Sequence, residues 1–354
     1  MSELDAVILV GGLGTRLRPL TLSAPKPMLP TAGVPFLAHL VRRLEQAGIT
    51  HVVLGTSYQA EVFEKYFGDG AGFGVELEYV VEAEALGTGG GIRNVADRLR
   101  ADTVLVFNGD NLIGADLRKF AIAHQESGAD VSLCLHRVPD PRAYGCVPTD
   151  ADGRVTAFLE KDPNPVTDQI NAGLYAFRRS VIDSIPAGQV VSVERDTFPE
   201  LLRAGAVVRG RVDDGYWRDF GTPADFVDGS ADLVQGIAPS PAVPNPGEFL
   251  IRSGTIADSA DVRGGSALGD GCAVGADAVV EKSVLFDGAR VEAGAVVRAS
   301  IIGAGAVVGA GAVLDGVVLG DRVTVAAGAR LADGARVWPD STVPGGDVRY
   351  PGEF

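Results

Sequence analysis

An aliphatic residue recurs at every fifth or sixth position through the last third of this 354-residue chain. The series begins at Ile256 and ends at Val337, and its fifteen members are all Ile, Val or Leu, with small residues and glycines between them. Three successive steps close a coil of 17 or 18 residues with three short strands and three tight corners. The pattern predicts a β-helix of hexapeptide repeats, because a flexible Gly/Ala-rich tail would not keep an aliphatic residue at every register position.

The preceding residues follow a different pattern, in which short β-branched runs alternate with segments of helical spacing such as 36–47 and 117–126. Strands are predicted at residues 7–10, 52–54, 104–107 and 131–135. This alternation indicates a Rossmann-like α/β domain with a mainly parallel sheet. Ligands of such sheets bind beyond the carboxyl ends of the strands, and the motifs described below fall there.

A proline-rich segment, GIAPSPAVPNPG at residues 236–247, separates the two patterns and predicts a stiff, extended linker. We therefore expect an α/β domain at 1–235, a linker at 236–250 and the β-helix with a C-terminal tail at 251–354.

The composition narrows the function classes. A formal charge of −15 disfavours nucleic acid and acidic membranes as partners, and no run reaches the ~20 apolar residues of a membrane span. The cysteines Cys134, Cys146 and Cys272 form no CxxC pair, so they predict neither a disulfide framework nor a zinc site. The N-terminus carries acids where a secretory signal carries bases, and we expect a cytoplasmic protein.

A glycine-rich segment follows the first predicted strand. Gly11, Gly12 and Gly14 let backbone N–H groups approach a phosphate without obstruction by side chains. No Gly-Lys-Ser/Thr follows, so this is not a Walker loop. Arg16 lies within the loop, and Lys26, one of only five lysines, lies ten residues later between two prolines. These cations suit the phosphate groups of a nucleoside triphosphate.

Two aspartates complete the candidate site. Asp110 follows the predicted strand at 104–107, and Asp219 lies in the segment GYWRDFGTP. Two hard carboxylate ligands together with substrate phosphates are typical of a Mg²⁺ site. Either aspartate alone is typical of a turn or a helix cap, so the metal hypothesis depends on their occurring together with the glycine loop.

The motifs together resemble those of the sugar-1-phosphate nucleotidyltransferases, over about residues 5–230. They are GGLGTRLRPLT, PKPM, LGTGG, NGD, YGCV, EK, NAGLY, VERDTFP and YWRDFGTP. With the added β-helix, the chain is most similar to the mannose-1-phosphate guanylyltransferase (GDP-mannose pyrophosphorylase) branch. The resemblance of the repeats to other hexapeptide-repeat helices implies that this β-helix is left-handed. The family's Glu-Lys-Pro is Glu-Lys-Asp-Pro here, and its LGTAG is LGTGG. These departures concern the approach of Lys161 and the start of a helix.

The resemblance implies a role for each motif residue. Arg16 and Lys26 would contact the triphosphate as catalytic residues, Lys161 would hold the sugar phosphate, and Asp110 and Asp219 would hold Mg²⁺. The implied nucleotide-binding residues are Gly11, Gly12, Gly14, Thr15, Glu82, Gly87 and Thr88. The implied sugar-binding residues are Gly145, Glu160, Asn171, Gly173 and Glu194.

The expected reaction follows from charge. An oxygen of the sugar 1-phosphate attacks the α-phosphorus of the triphosphate in line, pyrophosphate leaves, and cations must offset the repulsion between the two anions. Glu82 and Glu84 precede LGTGG, where a carboxylate would accept both N1–H and the 2-amino group of guanine. This favours GTP, although both glutamates are equally well explained as solvated residues at a strand end. Mannose 1-phosphate follows from the branch alone.

Alternatives of three classes stay open. The first is a related enzyme: a glucose-1-phosphate adenylyl-, thymidylyl- or uridylyltransferase. A catalytically silent regulatory subunit that binds nucleotide sugar would be expected to lose a cation or a metal aspartate, and this chain keeps them. A hexapeptide acyltransferase would need a histidine on the β-helix, yet all four histidines precede it. We also expect homo-oligomers formed through the β-helix.

Overall fold

The computed structural model describes residues 3–56 and 59–346, and these form seven α-helices among the described residues. The helices are α1 Phe36–Gln46, α2 Ala60–Phe67, α3 Gly87–Asn94, α4 Leu117–Ser127, α5 Arg179–Ser184, α6 Phe198–Arg203 and α7 Pro223–Val234. The strands before the repeats are β1 Leu4–Leu9, β2 Pro30–Thr31, β3 Val34–Pro35, β4 His51–Thr56, β5 Glu76–Val81, β6 Thr103–Asn108, β7 Asn111–Ile113, β8 Val131–Arg137, β9 Gly145–Cys146, β10 Leu159–Glu160, β11 Gln169–Arg178, β12 Val208–Val212 and β13 Trp217–Asp219.

The chain divides into two compact units. The first unit comprises the described residues up to Gly12 together with Val41–Trp217. The second unit comprises Leu13–Leu40 and the described residues from Arg218 onward, so it contains the repeats and also two segments that precede them. The boundaries predicted at residues 235 and 250 separate sequence patterns and not compact units, and they stay a prediction.

A mixed sheet forms the centre of the first unit, in the order β10-β9-β11-β6-β1-β4-β5, with β8 beside β11 and β12 beside β8. The neighbours β6, β1, β4 and β5 are parallel, as the sequence predicts, whereas β11 runs antiparallel to β6, β8 and β9. Val7 lies opposite Val53 on one side and Val106 on the other, and all three are fully buried. Such β-branched residues favour strands that are covered on both faces.

The carboxyl ends of β1 and β6 are joined tightly. The amide N–H of Gly109 donates to the carbonyl oxygen of Leu9 at 2.9 Å. A Cβ at position 109 would lie 2.6 Å from that same oxygen, so only glycine fits there. This contact brings Asp110 to the edge of the sheet at which β1 passes into the glycine loop.

The second unit is held together by α7, which packs against residues of the segment 13–40. Phe220, which precedes α7, is buried between the rings of Phe36 and Phe226, at centroid distances of 4.6 and 5.8 Å. The Ser230 hydroxyl on α7 accepts a hydrogen bond from the backbone N–H of Ala32 at 3.0 Å. The helix begins with a capping box between Thr222 and Asp225, which fixes the chain direction directly after the segment WRDFG.

The repeats form three parallel sheets that stack coil upon coil, consistent with the predicted left-handed β-helix. The first sheet contains β14 Phe249–Ile251, β17 Ser266–Leu268, β20 Val284–Leu285, β23 Ile301–Ile302, β26 Val318–Leu319 and β29 Arg336–Val337. The second contains β15 Gly254–Ile256, β18 Cys272–Val274, β21 Arg290–Val291, β24 Val307–Val308, β27 Thr324–Val325 and β30 Thr342–Val343. The third contains β16 Asp261–Arg263, β19 Val279–Glu281, β22 Val296–Arg298, β25 Val313–Asp315 and β28 Arg330–Leu331.

Each predicted aliphatic residue from Ile256 to Val325 pairs with its counterpart in the next coil. In the first sheet, for example, Leu268 pairs with Leu285, and Leu285 pairs with Ile302. The ladder extends beyond the predicted series, because Ile251 begins the first sheet and Val343 ends the second. The hexapeptide prediction is therefore confirmed, with one further rung at each end.

A column of buried serines lines one corner of the coils. The backbone N–H of Ser283 donates to the hydroxyl of Ser266, that of Ser300 to Ser283, and that of Val317 to Ser300, at distances of 2.9–3.2 Å. The three serines are at most 1% exposed. Their hydroxyls satisfy buried backbone donors where the coil turns, which an apolar side chain would leave unsatisfied.

The proline-rich segment contains neither helix nor strand over residues 236–248, and two of its residues, Ala238 and Val243, are buried. Within the described ranges of the chain, no helix combines the length and the apolar character that crossing a membrane requires.

Candidate active site

The glycine loop continues into the second unit, where its backbone is fixed by a close contact. Gly14 has a φ of +58°, and a Cβ there would lie 2.9 Å from the Thr21 side chain and 3.0 Å from Cβ of Lys26. The Thr21 hydroxyl donates to the carbonyl oxygen of Gly14 at 2.9 Å. A short 3₁₀ turn then spans Thr15–Leu17, with Leu17 buried and Arg16 exposed. The loop thereby presents the Arg16 guanidinium at the surface.

Three of the predicted site residues meet in the second unit. The ammonium of Lys26 lies 3.7 Å from Oδ1 of Asp219, although the Lys26 side chain is only 10% exposed. A Cβ at Gly221 would lie 2.8 Å from Oδ2 of Asp219 and 3.1 Å from Nη1 of Arg16. The missing side chain at Gly221 therefore leaves room for a carboxylate and a guanidinium beside one another. We call Arg16, Lys26 and Asp219 the charged cluster.

The first unit holds the other predicted metal ligand. Asp110 is half-buried in the turn between β6 and β7. Two residues earlier, the Oδ1 atom of Asn108 is buried and has no hydrogen-bond partner. A buried amide oxygen without a donor is costly unless a ligand satisfies it. Asn108 is thus a site residue that our sequence reasoning did not single out, although it lies in the NGD motif.

The LGTGG segment forms the start of α3 and packs against the backbone of Val191. Gly87 has a φ of +72°, and a Cβ there would lie 2.7 Å from the Val191 carbonyl oxygen. The N–H of Gly89 donates to that oxygen at 2.8 Å, and a Cβ at Gly89 would lie 2.8 Å from the Val191 side chain. The departure from the family's alanine at this position therefore accompanies a close contact with Val191.

Glu82 turns back toward the same segment. One of its carboxylate oxygens accepts a hydrogen bond from the N–H of Leu86 at 3.3 Å, and a Cβ at Gly91 would lie 2.7 Å from the other oxygen. Partial burial raises the pKa of Glu82 above its usual range. Glu84, in contrast, is exposed. Of the two glutamates considered for the base, Glu82 holds the turn before α3.

Glu194 is anchored by several hydroxyl groups. One carboxylate oxygen accepts hydrogen bonds from Thr88 at 2.8 Å and Ser192 at 2.9 Å. The other accepts the phenol of Tyr175 at 3.5 Å, and this phenol in turn accepts the side-chain amide of Asn171 at 2.7 Å. Thr88, Asn171 and Glu194, which the motifs predicted separately, therefore belong to one network. Tyr175 joins them and is a functional candidate that the sequence reasoning did not identify.

A second carboxylate lies near Glu194. Glu160 pairs with Gly145 across strands β9 and β10, and a Cβ at Gly145 would lie 2.7 Å from its carboxylate. Burial, and to a lesser extent the charge of Glu194, raise the pKa of Glu160. Lys161 is exposed and has a φ of +53°, and its N–H donates to the Tyr144 carbonyl oxygen. The left-handed backbone at Lys161 accompanies the departure from the family's Glu-Lys-Pro.

The remaining predicted residues lie at the edge of the sheet. Gly173 has a φ of +80°, and the space of its missing side chain is taken by the amides of Asn108 and Asn111. Gly11 and Gly12 follow β1 after one intervening residue, and a Cβ at Gly12 would contact no neighbouring atom. All predicted site residues therefore have a described position, and their individual roles stay predictions.

A different cluster, at the amino ends of β1, β4 and β5, has the composition of a metal site. His51, Glu76 and Glu78 lie close together there. The His51 ring nitrogens contact carboxylates of Asp5 and Glu78, at 2.7 and 3.0 Å, and Arg100 contacts both glutamates. These mutual hydrogen bonds already use the ligand atoms, so we interpret the cluster as an ion-pair network.

A mixed α/β sheet whose first strand leads into a glycine loop is shared by proteins of many functions, so the class of this protein rests on its comparison with known families. The family model described as Nucleotidyl transferase matches residues 5–236, and the chain belongs to this family. A second family model, described as the GMPPB C-terminal domain, matches residues 246–346.

Individual relatives agree with this classification. The chain is 59% identical to a mannose-1-phosphate guanylyltransferase of Mycobacterium tuberculosis, over 98% of both chains. It is 33% identical to mannose-1-phosphate guanylyltransferase 1 of Arabidopsis thaliana, over 79% of each. The structure of HddC from Yersinia pseudotuberculosis complexed with GMP-PN is similar with a TM-score of 0.58 and 31% identity, covering 66% of this chain and 100% of that one. The resemblance inferred from the motifs is confirmed.

Proposed function

We propose that this protein transfers GMP from GTP to mannose 1-phosphate, giving GDP-mannose and pyrophosphate. The observation that carries the proposal is the 59% identity, over 98% of both chains, to a relative named for this activity. The charged cluster supports it, because Arg16, Lys26 and Asp219 combine two cations with a carboxylate beside a glycine loop.

The reaction requires little covalent chemistry from the protein. An oxygen of the sugar phosphate forms a bond to the α-phosphorus of GTP while the bond from that phosphorus to the bridging oxygen of pyrophosphate breaks. The attacking phosphate is already ionised at neutral pH, so no general base is needed. Arg16 and Lys26 would offset the charge on the triphosphate, and burial of Lys26 would strengthen its interaction with an anion.

Asp110 and Asp219 are the residues that would hold Mg²⁺. Their carboxylates are hard oxygen ligands, and the unpartnered Oδ1 of Asn108 adds a further oxygen near Asp110. The ion would supply positive charge to the phosphate oxygens during transfer. Lys26, which lies 3.7 Å from Asp219, would hold that carboxylate in place before the substrates bind.

The sugar would bind near Glu160 and Glu194. An ionised carboxylate offers only acceptor sites, which suits the hydroxyl donors of a sugar, and Thr88 and Ser192 hold Glu194 in position. Lys161, which is exposed and directly follows β10, would contact the sugar phosphate. Because the pKa of Glu160 is raised, we expect sugar binding to weaken at a higher pH than for an ordinary glutamate as the solution is acidified.

A substrate matrix tests the proposal. Purified protein is combined with each of GTP, ATP, UTP and dTTP and with mannose or glucose 1-phosphate, and pyrophosphate release is followed. GTP with mannose 1-phosphate should give the highest kcat/KM. A different best pair would assign the chain to one of the alternative transferases. Binding of nucleotide sugar without turnover of any pair would favour the silent regulatory subunit instead.

The two candidate base-reading residues can be separated in the same assay. Glu82→Gln and Glu84→Gln are compared for their preference between GTP and ATP. If Glu82 accepts the guanine N1–H and amino groups, its variant alone loses that preference. An equal loss in both variants would contradict a specific role for Glu82.

We further propose that the protein acts in the cytoplasm and assembles into homo-oligomers through its β-helix. Light scattering coupled to size-exclusion chromatography gives the oligomeric state of the full chain. Removal of the repeats is not used as a test, because they belong to the same compact unit as part of the candidate site.

A further inference from the structure

Arg218, the residue next to Asp219, is bound by an acidic face of α7. We define this face as Asp225, Asp228 and Asp232, which follow one another at helical spacing. The Arg218 guanidinium lies 3.4 Å from Asp228 and 3.1 Å from Asp232, with Asp225 at 3.9 Å. The Arg218 side chain is only 27% exposed, so most of it is held among these carboxylates. This contact network fixes the backbone that carries Asp219.

The same acidic face receives a cation from the β-helix. The ammonium of Lys282 lies 2.7 Å from the carboxylate of Asp228. Lys282 occupies a coil corner with a φ of +46°, a backbone conformation that is unfavourable for residues with a side chain. The equivalent corners of the neighbouring coils are occupied by small residues, Gly264 and Ala299. Left-handed residues are common at the corners of these coils, so what distinguishes Lys282 is that its partner, Asp228, lies on α7 and not within the β-helix.

A second cation of the β-helix reaches the glycine loop. Nη1 of Arg336, in β29, donates to the carbonyl oxygen of Arg18 at 3.0 Å. Arg18 lies two residues after Arg16 and directly follows the 3₁₀ turn that contains Arg16. The β-helix therefore touches both segments of the charged cluster, one through α7 and one directly.

A cavity separates these two contacts. It has a volume of about 300 Å³ and is lined by the first turn of α7 and by mostly apolar residues of the coils, with Asp228 and Arg336 among its polar lining residues. Side chains do not fill the space between the first turn of α7 and the coils here, whereas further along the helix Ala231 packs closely against Gly265. The two polar contacts therefore link α7 and the glycine loop to the coils where close packing is missing.

We propose that Lys282 and Arg336 are positioning residues that hold the charged cluster in its reactive geometry. Lys282 acts through Asp228 and Arg218 on Asp219, and Arg336 acts through the backbone of Arg18 on Arg16. The β-helix thus has a direct part in catalysis without contributing a group that touches the substrate. This inference rests on the proposed function for its kinetic readout only.

The backbone at Lys282 allows a test that separates positioning from folding. Lys282→Gly removes the ion pair and relieves the left-handed backbone, so the variant should be at least as stable as the wild type. Its kcat/KM should nevertheless fall roughly 3- to 30-fold, the range found for residues that act through others. Lys282→Arg, which keeps the charge, should recover most of the activity.

Arg322→Gly is the matched control. Arg322 is also a basic residue at a coil corner, with a φ of +57°, but its guanidinium pairs with Asp340 within the β-helix. This variant should keep wild-type kinetics. If Lys282→Gly also keeps wild-type kinetics, or if Arg322→Gly loses as much activity, the positioning role of Lys282 is overturned.

Hydrogen–deuterium exchange of the full-length protein without substrates provides a readout that does not require turnover. Lys282→Gly should speed amide exchange within 218–222, and Arg336→Met should speed it within 14–19. Unchanged exchange in these segments would overturn the proposal. If the wild type turns over no substrate pair but the exchange changes as expected, the proposed function fails while the positioning inference stands.

Discussion

The glycine at position 221 offers the sharpest test of the charged cluster. Its φ is not in the left-handed region, so the backbone accepts alanine without strain. The added Cβ would lie 2.8 Å from Oδ2 of Asp219, whereas ordinary contact begins near 3.4 Å. The carboxylate must therefore move by roughly 0.6 Å, and the Arg16 guanidinium, 3.1 Å from the same Cβ, must move as well. A displacement of about 1 Å costs about 10²-fold in rate, so we expect a 10- to 100-fold loss of kcat.

The assay measures kcat and KM of Gly221→Ala by pyrophosphate release, together with the thermal unfolding midpoint. The midpoint should change little, because the new methyl displaces only the ends of two side chains. Gly72→Ala is the control, since a Cβ there meets no neighbouring atom and the backbone is also not left-handed. A folded Gly221→Ala protein with wild-type kcat would refute the reasoning, because the geometry of Asp219 and Arg16 would then not matter to the reaction.

Other predictions concern single charges, burial and packing. Asp110→Ala and Arg16→Ala should each lower kcat by about 10²–10³-fold in a folded protein, and unchanged turnover of either would contradict its assigned role. Burial lowers the pKa of His39 to about 4, so the unfolded chain binds a proton near pH 6.5 that the native state refuses. His39 alone should lower the free energy of unfolding by roughly 3 kcal/mol between about pH 6.5 and 4. His39→Gln should reduce this dependence in chemical denaturation without abolishing it, because burial also lowers the pKa of His124 to about 4. Ile302→Ala, in the middle of a fully buried rung, should cost about 2–5 kcal/mol of unfolding free energy, and a smaller loss would mean that the coils collapse around the gap.

The β-helix was readable from the sequence because its signal is periodic and redundant. One misplaced aliphatic residue does not obscure the series, because every coil requires an aliphatic residue at the same positions. The series was nevertheless cut short, since Ile251 and Val343 continue it at steps of five and six. Ile251 directly follows the predicted linker, and Val343 is preceded by Trp-Pro-Asp-Ser-Thr, so neither is preceded by Gly/Ala-rich sequence.

The candidate site was only partly readable. Motif residues such as Asp219 and Lys26 were identified singly, but the sequence does not contain the distance between them. The antiparallel insertion of β11 beside β6 was also missed, because a strand buried on both faces has the same apolar pattern in either direction. Asn108 and Tyr175 lie inside motifs that had been quoted, and only their hydrogen bonds distinguish them from packing residues.

The corner serines have a consequence for how the repeats find their alignment. Aliphatic rungs are nearly interchangeable, so a strand displaced by a whole turn of the solenoid would still bury its hydrocarbon. Hydroxyls are not interchangeable in this way: the column has three members and ends on the N–H of Val317. A shift of this kind would leave a backbone N–H or a serine hydroxyl buried without a hydrogen-bond partner. Three serine hydroxyls thus specify the register of the coils, which the fifteen aliphatic side chains alone do not.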